Sequence, residues 1–238
     1  MMHVKVRGET LALLPSRALF WPRTATLFIA DPHFGKIDSF QAAGVPIPGD
    51  VTDADLARLS ACIMATGAAQ LVILGDFFHT HASQSAQTLA ALAAWRIQHT
   101  SLEIILVPGN HDRHAGAPPL DLNIVCVDEP YELPPFICRH HPPVEPSDVD
   151  RQTAYGYVLA GHLHPVAVLR DVDRTRHRFP CFHVGRQVAI LPAFGAFTGG
   201  QAIRPRVDDR VFIIYNDFVR EAGGLRNSPF CSSYGGLV

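Results

Sequence analysis

Four short segments carry most of the side chains able to do chemistry: Asp31-Pro32-His33, Gly75-Asp76, Gly109-Asn110-His111-Asp112 and Gly161-His162-Leu163-His164. The pair His140-His141 is a fifth candidate. Together they offer carboxylates, imidazoles and an amide oxygen, without thiolate. Such a mixed nitrogen and oxygen set suits Mn, Fe, Zn or Ni better than a soft-metal centre. Each fragment alone reads equally well as structural, and Asn110 alone would be a turn residue. The weight lies in the combination, because each of the four segments begins where an apolar, strand-like run ends.

Carboxyl ends of strands are where ligand-binding groups gather in open α/β sheets. In extended chain Asp31 and His33 would point the same way, as would His162 and His164. The glycines before Asp76, Asn110 and His162 would let the backbone turn sharply toward a common centre.

The elements needed to position these groups are readable from hydrophobic periodicity. Residues 26–30 and 71–74 read as buried strands, and residues 103–107 as a third. Between them, residues 53–67 and 83–99 read as helices, the first capped by Asp53 and ended by Gly67. This alternation predicts parallel pairing with helices on the sheet faces. After Asn123 strand candidates follow with little helix between them: 124–127, 136–139, 158–160, 166–170, 183–191 and 211–215. The expected fold class is α/β, a layered α-β-β-α sandwich of two mixed sheets flanked by helices. A single domain over residues 1–220 is expected, with a Gly- and Ser-rich flexible tail over 221–238.

With 238 residues, 47% hydrophobic and 18% charged, the chain has material for one substantial core. A net charge of -2 argues against binding nucleic acid by bulk positive charge. The five cysteines are scattered without a C-x-x-C pair, which disfavours a disulfide framework or a thiolate zinc site. No run has signal-peptide or membrane-spanning character, so a cytoplasmic protein with no membrane partner is expected. No Gly-x-Ser-x-Gly elbow marks a serine hydrolase.

The series D-x-H, G-D, G-N-H-D, H and G-H-x-H, from Asp31 to His164, resembles the calcineurin-like metallophosphoesterase superfamily. More narrowly, the chain is similar to the ligase-associated DNA-damage-response metallophosphoesterases, a bacterial family expected to act as endonucleases. That likeness rests on residues 30–36 (ADPHFGK), 75–79 (GDFFH), 161–165 (GHLHP) and 191–200 (LPAFGAFTGG).

The resemblance implies two divalent ions, Mn2+ first, with Fe, Zn or Ni as alternatives. Asp31, His33 and His164 would hold one ion. Asn110, His162 and either His140 or His141 would hold the other, His140 being favoured because it directly follows a strand. Asp76 would bridge them. Two cations about 3.5–4 Å apart can neutralise phosphoryl oxygens and activate a water as hydroxide. His111 would be the general acid, worth on the order of 10²–10⁴-fold, or else a histidine that orients the site. Asp112 would set the tautomer of a neighbouring imidazole or cap a helix.

His79, His141, Lys36 and Arg113 are candidates for substrate contact, with His81 and His114 behind them, and surface placement is the plain alternative for each. His3, His99, His177 and His183 read as structural or surface residues. The basic stretch 170–178 and Arg204, Arg206 and Arg210 are candidates for a nucleic-acid track. The function expected is phosphodiester hydrolysis of DNA by an endonuclease in repair, with a DNA ligase and a helicase as possible partners. The alternative is a small phosphoester such as a cyclic nucleotide or nucleotide-linked substrate. A non-catalytic scaffold is disfavoured because no ligand is missing from the set.

Overall fold

The computed structural model describes residues 1–45, 47, 51–143, 156–170 and 173–222. Three strands, β1 (Met2–Val6), β2 (Glu9–Leu13) and β3 (Leu19–Trp21), open the chain as an antiparallel meander. They feed into β4 (Thr26–Ala30), followed by α1 (Lys36–Ala42), α2 (Val51–Thr66), β5 (Gln70–Leu74), α3 (Ala86–Gln98), β6 (Glu103–Val107), α4 (Asp112–Ala115) and β7 (Ile124–Cys126). β4 to β7 are parallel, so the first sheet runs β1 to β7 in sequence order.

The second sheet follows from β8 (Tyr131–Leu133), β9 (Phe136–Arg139), β10 (Tyr157–Ala160), β11 (Pro165–Arg170), β12 (Arg176–Val184), β13 (Val188–Ile190), β14 (Gln201–Ala202), β15 (Arg210–Tyr215) and β16 (Phe218–Glu221). Its central strands β9, β10 and β13 are parallel, while β11, β12, β15 and β16 pair antiparallel. The protein is therefore the expected α/β arrangement of two mixed sheets with flanking helices.

Alternation along β4 to β6 explains the layering. Leu27, Ile29, Leu71, Ile73, Ile104 and Leu106 face α2 and α3, where Leu56, Leu59, Leu92 and Trp95 meet them. The intervening Phe28, Ala30, Val72, Leu74, Ile105 and Val107 face the second sheet and its Phe136, Tyr157, Leu159, Phe182 and Phe212. Strands apolar on both faces are what a parallel, doubly covered sheet requires. A smaller group, Ala167, Cys181 and Val211, packs under Ile203, Ile213 and Ala222.

Several boundaries differ from expectation. The meander β1 to β3 was not anticipated. Helix α2 begins at Val51, which puts Asp53 in its first turn rather than at its cap, and Gly67 ends it at φ +65°. α3 starts at Ala86 after Ser85, whose hydroxyl accepts the Thr88 N–H. The strand expected over 183–191 is two strands, β12 and β13, separated by a turn. Glu221 ends β16 and forms an ion pair with Arg210, so the expected tail does not begin there; residues 223–238 lie outside the described residues. Among the described residues no helix is long and apolar enough to cross a membrane.

Candidate metal centre

The parallel strands of the two sheets deliver their carboxyl ends to one place. Asp31 follows β4, Gly75-Asp76 follows β5, Gly109-Asn110 comes two residues after β6, His140 follows β9, and Gly161-His162 follows β10. The segment after β13 stitches both sheets beneath this point. Leu191 N–H donates to Ala160, Phe194 N–H to Ala30 and Gly195 N–H to Asp31.

Convergence is achieved differently from the sequence expectation. Asp31 and His33 are not in extended chain, nor are His162 and His164. All four have positive φ, at 50°, 47°, 68° and 44°, and Asp76 joins them at 53°. Left-handed backbone is unfavourable for residues with a Cβ and concentrates where surrounding structure over-determines it for function. Of the three glycines expected to turn the chain, Gly75 alone is left-handed, at φ +80°. The other two leave room for the site. A Cβ on Gly109 would sit 2.2 Å from Asp76 Oδ1, and one on Gly161 would sit 2.7 Å from Asp31 Oδ2.

Two adjoining clusters of the expected donors result, beside a third grouping of His33, His79 and His111. In one, ligating atoms of Asp31, His33, Asp76 and His164 all lie within 4.8 Å of one another. Asp31, His33 and Asp76 are buried. His164 Nε2 is 3.4 Å from Asp31 Oδ1, and His33 Nε2 is 3.7 Å from Asp76 Oδ2. Asp31 accepts the His162 N–H at 2.9 Å, and Asp76 accepts the His111 N–H at 2.9 Å. In the second cluster His140, His141 and His162 satisfy the same distance condition. His140 Nδ1 donates to the Leu74 carbonyl at 3.1 Å, which fixes its tautomer and turns the Nε2 lone pair inward. That Nε2 lies 3.0 Å from Asn110 Oδ1, 3.1 Å from His162 Nδ1 and 3.5 Å from Asp76 Oδ1.

This arrangement suits cations. A single proton on His162 Nδ1 would serve His140 Nε2, yet Asn110 Oδ1 and Asp76 Oδ1 would still face a lone pair. In the other cluster neither ring nitrogen of buried His33 has a hydrogen-bond partner among the described residues, and His164 Nε2 has none among them either. Buried polar atoms of this kind are costly unless something completes them. Imidazole, carboxylate and amide oxygen donors fit divalent ions of the Mn, Fe and Zn type.

Burial keeps His33 and His162 in the neutral form that can ligate, while His164 is shifted the other way. Burial, reinforced by Lys36 and nearby imidazoles, holds the His33 pKa far below its ordinary value. Burial and the neighbouring His140 and His141 also lower that of His162. For His164 burial opposes protonation, but Asp31 and the Gly199 carbonyl outweigh it and the pKa rises.

The remaining candidates fall into place around the clusters. His111 donates through Nδ1 to the His79 carbonyl at 2.7 Å, and its ring lies 5.0 Å from that of His33. The His79 ring stacks on His111 at 4.7 Å, and burial lowers its pKa to about 4. Lys36, half-buried, lines a cleft with His33, Phe197 and Thr198. His141 stands at the margin, its Nδ1 3.9 Å from Glu129, and Arg113 is exposed.

The Asp112 carboxylate accepts the N–H groups of Phe77 at 2.8 Å, Phe78 at 3.4 Å and Gly109 at 2.8 Å, and so binds together the loops carrying Asp76 and Asn110. Of the basic track, Arg178 is exposed and donates to the Gly200 carbonyl, Arg210 pairs with Glu221, and residues 171–172 lie outside the described residues. His183 bonds Asp209 and His99 bonds Ser60, as expected of structural histidines.

One supporting group was invisible in the sequence. Asp55 accepts the Ala196 N–H and pairs with Arg58 at 2.8 Å. Arg58 donates to the Phe194 carbonyl, and Arg17 to those of Ala193 and Gly195. These residues clamp the segment whose Gly199 carbonyl accepts the His164 Nδ1–H. An acid three residues before an arginine on one helix reads as a surface pair, and no local signal links it to residue 196.

Residues 25–177 match the family model described as calcineurin-like phosphoesterase. A nuclease from Pseudomonas putida, MPE, is similar in structure, with 41% identity, TM-score 0.76, and coverage of 90% of this chain and 96% of that one. An Aquifex aeolicus protein of unknown function (18% identity, TM-score 0.39, 58% of this chain and 77% of that one) is also similar. So is the E. coli phosphoesterase Yfce (16%, 0.38, 81% and 88%). Scores at that level carry no argument. No curated protein matches the sequence.

Proposed function

We propose that this chain, which belongs to the calcineurin-like phosphoesterase family, is a nuclease that cuts DNA internally with the help of two divalent ions. Metal-dependent phosphoester hydrolysis comes with the family, and candidate ligands are present. The observation that carries the nuclease reading is the 41% identity over 96% of the length of a nuclease.

Asp31, His33 and His164 would hold one ion, and Asn110, His140 and His162 the other. Asp76 suits the position between them, since its Oδ2 faces His33 and its Oδ1 faces His140. When bound, two such ions neutralise phosphoryl oxygens and lower the pKa of a water. Mn2+ is the ion we would supply first. The chain's own contribution is orientation and proton handling. Leu74 and Gly199 aim the rings of His140 and His164 through their Nδ1 atoms, support that commonly governs ligand geometry. The His79 carbonyl takes the Nδ1–H of His111, so a proton for a leaving oxygen would come from Nε2 of the imidazolium form. Roles for the protein in repair, and for a DNA ligase or a helicase as partners, rest on motif resemblance alone.

A small phosphoester is the second reading. The net charge of -2 and the pairing of Arg210 with Glu221 favour it. The deciding experiment is cleavage of closed circular single-stranded DNA by manganese-loaded protein, with bis-p-nitrophenyl phosphate in parallel and His111→Ala as the control for contaminating nucleases. Linearised circles from wild type alone support the endonuclease. An intact circle beside turnover of the small diester moves the substrate to small phosphoesters. Asp76→Ala should lose both ions, and retention of two by that variant would remove its bridging role.

A further inference from the structure

A run of rings leads outward from the metal clusters. His111 and His79 are nearly parallel, with centroids 4.7 Å and planes 25° apart. Phe40 continues the run, parallel to His79 within 6° at 6.4 Å. Phe197 meets Phe40 edge to face at 5.7 Å and is 41% exposed. Neither phenylalanine belongs to the buried cores. Ile37 is the buried residue of α1, whereas Phe40 on the same helix is only half-buried.

Polar groups flank the rings. Phe197 shares its cleft with His33, Lys36 and Thr198. Lys36 has no carboxylate within ion-pair distance among the described residues. The Thr198 hydroxyl is buried without a hydrogen-bond partner among them.

We propose that Phe197, braced edge to face by Phe40, is a stacking platform for an unpaired nucleobase beside the scissile phosphate, with Lys36 meeting the attached phosphate. The proposal rests on the nuclease reading and assigns a base-binding subsite to it. A flat aromatic ligand joined to an anion matches an exposed ring beside a cation, next to a centre that would hold the phosphate. A protein partner would call for a wider apolar patch than two rings provide. In a duplex both faces of a base are already covered by its neighbours, so the platform is reachable only by an unpaired base. Stacking on aromatic residues tolerates any base and is lost on substitution by alanine.

The test compares wild type, Phe197→Ala and Phe40→Leu, all manganese-loaded, on a single-stranded oligonucleotide and on copies carrying one abasic position moved along the strand. KM and kcat are measured separately, with thermal melting as the check on folding. Phe197→Ala should raise KM about tenfold on the intact strand, leaving kcat nearly unchanged. Placing the abasic position beside the cleaved bond should raise wild-type KM similarly, and the variant should then add no further loss. Phe40→Leu should give the same pattern more weakly. Equal KM values for both variants and wild type, or indifference to the abasic position, would overturn the platform while leaving the nuclease intact. Equal cleavage of duplex and single strand would do the same. Turnover of bis-p-nitrophenyl phosphate without cleavage of any oligonucleotide would overturn the nuclease reading and the platform with it.

Discussion

His164 donates its Nδ1–H to the carbonyl of Gly199 at 3.2 Å, while its Nε2 lies 3.4 Å from Asp31. The ring is therefore aimed by a segment held from below by Asp55, Arg58 and Arg17. On its other side that segment joins β14, which pairs with β11 directly after His164.

Removing the clamp should loosen a ligand without touching it. Asp55→Ala frees the Ala196 N–H and leaves Arg58 and Arg17 without their carboxylate, which should cost about 1.5–3 kcal/mol of stability. Metal affinity should fall about 10–100-fold, the usual range for groups that orient a ligand. Calorimetric titration with Mn2+ beside thermal melting checks both. A lowered melting temperature with unchanged affinity would reduce Asp55 to a purely structural residue.

Gly109→Ala tests steric exclusion at the centre. The added methyl would meet Asp76 Oδ1 at 2.2 Å and His140 Cε1 at 2.8 Å, so two ligands must move. Ion binding should weaken at least about tenfold, with a stability loss of about 1–3 kcal/mol from overpacking. Gly67→Ala is the contrast. Its Cβ would meet nothing within 4 Å, but φ is +65°, so about 1–2 kcal/mol should be lost with ion binding intact. Equal metal affinity in the two variants would contradict the packing argument.

The ligand types were legible because metal chemistry restricts them to a few residues, and because strand ends show in the hydrophobic pattern. How they converge was not. Nothing local announces that Asp31, His33, Asp76, His162 and His164 adopt left-handed backbone, since that conformation is imposed by packing between two sheets. Between adjacent His140 and His141 the sequence offers only the strand end, which favours His140. Only the fold buries one against Leu74 and leaves the other near Glu129. In the meander β1 alternates strictly over Met2–Val6 and carries a strand signal, whereas β2 and β3 do not alternate, and the clamp joins residues 136 to 178 positions apart. The parallel strands β4, β5 and β6 were readable as continuous apolar runs of strand length.

Asp112→Asn should separate cross-linking from catalysis. Both native oxygens accept main-chain N–H groups, and an amide can satisfy one side only while opposing N–H to N–H on the other. A loss of about 1.5–3 kcal/mol is expected, together with weaker metal binding, because the loops it joins carry Asp76 and Asn110. Native stability and metal binding with lowered turnover would instead make Asp112 a participant in the reaction.

Acid should destabilise the metal-free protein in a defined window. Burial, assisted by Lys36 and neighbouring imidazoles, depresses the pKa values of His33 and His79, the latter to about 4. Once unfolded, each returns to about 6.5. Below that value the unfolded chain binds protons that the native chain does not, and stability falls wherever this holds as pH is lowered. Their contribution is complete above about pH 6.5 and is lost progressively as pH falls through about 4. In the presence of a chelator the melting temperature should therefore drop between about pH 7 and pH 5, and His79→Asn should make the drop shallower. Added Mn2+ should raise the melting temperature more at the higher pH, since protons and metal compete for the same imidazoles. A metal-free melting temperature that is flat or rises on acidification would mean that these histidines are not held neutral by the fold.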